Sequence, residues 1–145
     1  MAQSPDLQLA SDLRTLVTRL VKKMRKESVT GQQLSLTERS TMSLLYQHKQ
    51  LLPSELASSE KITNQSMSQI LNHLFELGYI TRTASDTDKR KVLISLTDLG
   101  EKILLQVRSE RDEWLAKAIR ETCSEEEINL LKKMIAPLSK VLNHE

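Results

Sequence analysis

The sequence predicts a mainly α-helical fold with one small β-hairpin, and three observations predict it. Apolar residues recur at helical spacing through most of the chain. One stretch, from Tyr79 to Leu96, changes to a two-residue period. The change follows directly on a helix whose outward face is polar and neutral. Helix, strand, charged turn and strand in that order are the signature of a winged helix-turn-helix, here flanked by further helices.

Each element has its own warrant. Leu9, Leu13, Leu16, Leu20 and Met24 predict a long amphipathic first helix over residues 6–26, ended near Gly31. Ser35 and Glu38 then offer a capping box, in which hydroxyl and carboxylate reciprocally satisfy backbone amides, with Thr37 as a competing cap. The second helix runs from there towards Lys49. Pro53, with a preset φ and no amide proton, suits the first turn of a short supporting helix over residues 53–60.

The next helix is the candidate recognition helix, spanning residues 63–78. Met67, Ile70, Leu71, Leu74 and Leu77 share its apolar stripe, leaving Gln65, Ser66, Ser68, Gln69, Asn72 and His73 on the opposite face. Short neutral donors and acceptors are the chemistry that reads base edges in a major groove, where amides pair with adenine and hydroxyls adapt to several bases. A merely solvated face would carry more Glu and Lys.

Gly78 suits a helix end because it reaches positive φ without a Cβ penalty. Residues 79–84 then read as one strand and residues 92–96 as another, with Val92, Ile94 and Leu96 on one face. Between them the polar stretch Ser85 to Lys91 makes a turn with a basic tip. Thr97 is placed to cap the following helix. Its apolar series, from Leu99 through Val107 to Ile119, is expected to be interrupted by a charged turn around Arg108 to Glu113. Ser124 and Glu127 form a second capping box, opening a last helix that Pro137 is expected to kink.

The chain has 145 residues, which suits one compact unit and leaves no room for a separate catalytic domain. Charged residues make up 28% with a formal charge of +2, so their distribution says more than their sum. Six cations and no anion lie between Arg14 and Lys26, while Arg82, Lys89, Arg90 and Lys91 mark the hairpin. The N-terminus lacks a signal-peptide pattern and no apolar run approaches a membrane span, so a cytoplasmic location is expected.

Cys123 is alone, and His48, His73 and His144 are dispersed, so neither a metal nor a cofactor is expected. An aromatic content of 3% argues against a platform for stacking single-stranded bases. There is no nucleophile turn and no glycine-rich phosphate loop, which makes an enzyme the poorer hypothesis. The stronger competitor is a winged-helix protein-interaction module. Both terminal helices carry apolar faces that a small winged lobe does not cover. The expected division is therefore a dimerisation helix in residues 1–35, a DNA-binding lobe in 36–97 and dimerisation helices in 98–145. Truncation before about Lys26 or after Ile128 is expected to expose core and abolish folding.

Several segments together resemble the MarR family of bacterial transcription regulators. They are Leu36-Thr37-Glu38, Glu55-Leu56-Ala57, the stretch Leu74 to Ile80, and above all the run Asp88-Lys89-Arg90-Lys91 leading through a strand to Thr97 and Gly100. The resemblance covers almost the whole chain. It implies a homodimer that binds double-stranded DNA at a pseudo-palindromic operator, commonly a repressor released by a small anionic aromatic effector. It further implies that Arg90 enters the minor groove, that Asp88 orients it, and that Ser66, Ser68, Gln69, Asn72 and His73 face DNA. Relatives often carry arginine where Gln69 and His73 stand, which implies a different operator preference.

Overall fold

A computed structural model describes residues 4–145. The elements follow in order: α1 (Pro5–Glu27), a short 3-10 turn (Thr30–Gln33), α2 (Leu36–His48), α3 (Pro53–Glu60), α4 (Asn64–Glu76), β1 (Ile80–Ala84), β2 (Val92–Leu96), α5 (Asp98–Thr122) and α6 (Glu125–Leu142). Local chemistry sets most of these boundaries. Ser35 and Glu38 make both bonds of the capping box, which decides the start of α2 in favour of Ser35 over Thr37. Thr63 caps α4 through Ser66, Thr97 caps α5 through Gly100, and Ser124 with Glu127 opens α6.

β1 and β2 pair antiparallel, with Ile80 opposite Leu96 and Ala84 opposite Val92. The hairpin does not stand free. Leu51, just before α3, exchanges both backbone hydrogen bonds with Ile94 at 3.1 and 2.8 Å, fastening β2 to the supporting helix. The strand face expected to be shared is graded: Ile94 is buried, Leu96 half-buried, and Val92, nearest the tip, exposed.

One core serves the winged lobe. Met42 and Leu45 from α2, Leu56 from α3, and Met67, Leu71 and Leu74 from α4 meet Ile80 and Ile94 of the hairpin and Leu104 of α5. No buried residue comes from α1 or α6. One expectation is corrected: the charged stretch Arg108 to Glu113 does not interrupt α5, which is continuous over 25 residues. That stretch contains no glycine or proline, and its side chains find partners on α5 itself or on α2: Ser109 donates to Glu113, and Arg108 lies over the Tyr46 ring. It is a polar helix face. Pro137 lies inside α6, as its place in the apolar pattern led one to expect.

Candidate nucleic-acid interface

α4 presents its polar side as one surface. Its apolar stripe is pinned by Met67, Leu71 and Leu74, all buried, so the helix cannot roll without opening the core. Gln65, Ser66, Ser68, Gln69 and Asn72 are accordingly exposed. His73 lies differently: it is half-buried and its Nδ1 pairs with the carboxylate of Glu38 on α2. Glu38 is buried, which alone would raise its pKa. The Ser35 backbone amide and the His73 side chain outweigh that penalty and hold the carboxyl below its ordinary range. His73 thus ties α4 to α2, a task that competes with reading DNA.

The wing tip is a folded turn. Ser85 N–H donates to Lys91 O at 2.9 Å, and Lys91 N–H donates to Asp88 O at 3.0 Å. Asp88 Oδ1 accepts from both the backbone amide and Nε of Arg90, at 3.1 and 3.2 Å. This chelation directs the guanidinium while leaving the Arg90 side chain 91% exposed. An exposed ion pair of this kind adds little stability. Its effect is orientation. Lys89 and Lys91 are also exposed, and Lys91 shares a cleft of about 380 Å³ with Asn64 and Ser68 of α4 and Pro53 of α3.

Sequence reasoning left one contributor among the wing cations without a role. Arg82 on β1 reaches across to α4, where Nη2 donates to Asn72 Oδ1 at 2.6 Å and the guanidinium lies 5.0 Å from the Phe75 ring centroid. Only the pairing of strand and helix brings these residues together.

This geometry has close parallels. The MarR family profile matches residues 34–92, the segment that contains α2, α3, α4, β1 and the wing tip. An HTH-type transcriptional regulator of Mycobacterium bovis, itself described as uncharacterised, is 31% identical over 114 residues, covering 79% of each chain. The chain belongs to the MarR family. A putative transcriptional regulator from Pseudomonas aeruginosa has the same fold, with a TM-score of 0.82 and 30% identity over 99% of this chain and 100% of that one. A variant of S. aureus MepR, solved bound to an oligodeoxyribonucleotide, shares the fold at a TM-score of 0.70 and 23% identity, over 93% of this chain and 98% of that one.

A second polar feature of this MarR-family chain lies away from the wing, where α1, α2 and α5 meet. Arg39 is 4% exposed, and none of its three guanidinium nitrogens has a hydrogen-bond partner among the described residues. Burial, then the charges of Arg111 and Arg25, hold its pKa below the ordinary value. Arg25 itself donates to Leu34 O at 3.2 Å. Glu110 accepts from Thr30 N–H through one oxygen, while its other oxygen is buried without a partner among the described residues. Among the described residues, no helix is long and apolar enough to cross a membrane, and no three His, Cys, Asp or Glu side chains are grouped as a metal site.

Proposed function

We propose that this MarR-family chain is a sequence-specific transcription regulator that binds double-stranded DNA as a homodimer in the cytoplasm. The observation that carries the reading is the pairing of an outward, neutral polar α4 face with a wing tip whose Arg90 is exposed yet oriented by Asp88. Gln65, Ser66, Ser68, Gln69 and Asn72 read base edges in the major groove, and Arg90, flanked by Lys89 and Lys91, enters the adjacent minor groove. Two copies address the half-sites of a pseudo-palindromic operator. Residues 36–97 form the DNA-binding lobe, and residues 1–35 and 98–145 form the dimerisation region, with the first turns of α5 shared between the two.

Repression released by a small anionic aromatic effector accords with family membership. The buried, unpartnered Arg39 beside Arg25 and Arg111 supports it, because an anion would relieve three converging positive charges.

Operator titrations test the reading. Arg90→Ala is expected to weaken binding to all duplexes and to lower the log-affinity against log-salt slope by about 1. Gln69→Ala is expected to cost about 1 to 3 kcal/mol at one operator position and to leave the salt slope unchanged. If Arg90→Ala altered neither affinity nor salt dependence in a folded dimer, the wing would be docking a protein instead. The same titrations with phenolic acids that bind by calorimetry examine release: unchanged operator affinity on saturation contradicts an effector role.

A further inference from the structure

One side chain on the α4 face has its polarity set by a neighbour on the sheet. Asn72 is exposed, and its Oδ1 accepts a 2.6 Å hydrogen bond from Arg82 Nη2. A carboxamide interchanges its oxygen and nitrogen by rotation, so only its partners decide which end points where. A guanidinium carries five donors and no acceptor. Facing Arg82, Asn72 must therefore turn its oxygen towards β1, leaving its NH2 group without a part in that contact.

Arg82 is restrained in turn. Its guanidinium lies over Phe75, a ring that α4 leaves 49% exposed, and such stacking favours one placement of the cation. Asn72 and Arg82 both line a cleft of about 350 Å³ between α4 and the hairpin, together with Ser68 and Val92. The cleft opens on the face that meets DNA in the reading above.

We propose that Arg82 is a specificity-determining positioning residue. By taking one of the two lone pairs of Asn72 Oδ1, it fixes which way the carboxamide faces and presents the Asn72 NH2 group to the major groove. A bidentate contact with adenine needs the carboxamide to accept from N6 while it donates to N7. With its oxygen turned to Arg82 on β1, Asn72 reaches adenine in that geometry only by giving up the Arg82 bond. Base edges that offer acceptors remain: N7 and O6 of guanine, or O4 of thymine. The position read by Asn72 therefore prefers guanine or thymine, against the adenine that an unpartnered asparagine would favour.

The inference rests on the DNA reading, and one set of measurements separates the two. Bound duplexes are selected from a random pool by the intact chain, by Arg82→Ala, by Asn72→Ala and by the double variant. The Asn72 position is the one whose preference Asn72→Ala relaxes. Wild type is expected to select guanine or thymine there. Arg82→Ala is expected to admit adenine, reducing discrimination against it by about tenfold, with no such change when Asn72 is already alanine. In the free protein, the Asn72 side-chain amide resonances are expected to shift on Arg82→Ala.

Selection with an unchanged preference in Arg82→Ala overturns the proposal alone. So does a loss spread evenly over all sequences with the salt slope reduced by about 1, the mark of a phosphate contact. Unmoved Asn72 amide resonances overturn it without DNA. If wild type selects no sequence at all, the DNA reading falls and the proposal falls with it.

Discussion

Glu38 serves two elements with one carboxylate. Oε1 accepts from Ser35 N–H at 2.8 Å, closing the cap of α2, and Oε2 meets His73 on α4. Burial penalises the charge, but these partners more than offset it and hold the pKa below 4.5. A carboxyl whose folded pKa lies below its unfolded value contributes stability that is complete above the unfolded value and is lost as pH falls through the folded one. Glu38→Gln is therefore expected to cost about 1.5 to 3 kcal/mol near neutral pH, the range for hydrogen bonds to a charged group. The gap to wild type should narrow below about pH 4.5. Urea unfolding across that range measures it, and a gap that stays constant with pH contradicts the assignment. The pair also marks a limit of sequence reading. Helical spacing rightly puts His73 near the polar side of α4, but its partner is 35 residues away. No local pattern announces that contact, or the one that turns Asn72 towards Arg82.

At the scale of elements, the passage from α4 through the hairpin to α5 is a single closed joint. Gly78 takes φ +79°, Thr97 Oγ1 donates to Gly78 O at 2.6 Å, and Thr97 N–H donates to Tyr79 O at 3.0 Å. The start of α5 thereby lies directly on the Tyr79 backbone. A Cβ on Gly100 would stand 2.0 Å from Tyr79 O, a backbone atom with no room to yield. Alanine's advantage over glycine in a helix is only about 1 kcal/mol, whereas forced overpacking typically costs about 1 to 3 kcal/mol and occasionally more. Gly100→Ala is expected to destabilise by at least about 2 kcal/mol, and thermal or chemical unfolding decides it. Equal or greater stability would mean that α5 is not seated on Tyr79.

Caps made three of these boundaries legible beforehand, because Ser35, Thr97 and Ser124 each act on amides only a few residues away. The continuity of α5 was not legible. Charge density at Arg108 to Glu113 resembles a turn until Tyr46 is known to lie beneath Arg108. The bridge between Leu51 and Ile94 was equally hidden, since its two residues belong to segments that meet only after folding.

For the whole molecule, the question is what covers the two ends. α1 and α6 contribute no buried residue, and α6 has no substantial packing partner among the described residues. Yet α6 exposes Leu130, Ile135, Val141 and Leu142, the last 84% accessible, while α1 exposes Leu9, Leu16 and Val17. Apolar stripes of that extent on a folded chain mark an interface, and the two-fold arrangement proposed above supplies one. Because the core lies in the lobe and the first half of α5, removing residues 124–145 is expected to leave a cooperative unfolding transition. The chain should then pass from dimer to monomer by light scattering at micromolar concentration. Each lobe would meet its half-site alone, and losing the linkage between two binding events typically costs about a hundredfold to ten-thousandfold in affinity. The truncated chain should therefore bind a single half-site and the intact operator with nearly equal affinity, whereas the full chain should strongly prefer the operator. A truncated protein that keeps the dimer mass, or a monomer that keeps full operator affinity, would assign dimerisation to some other surface.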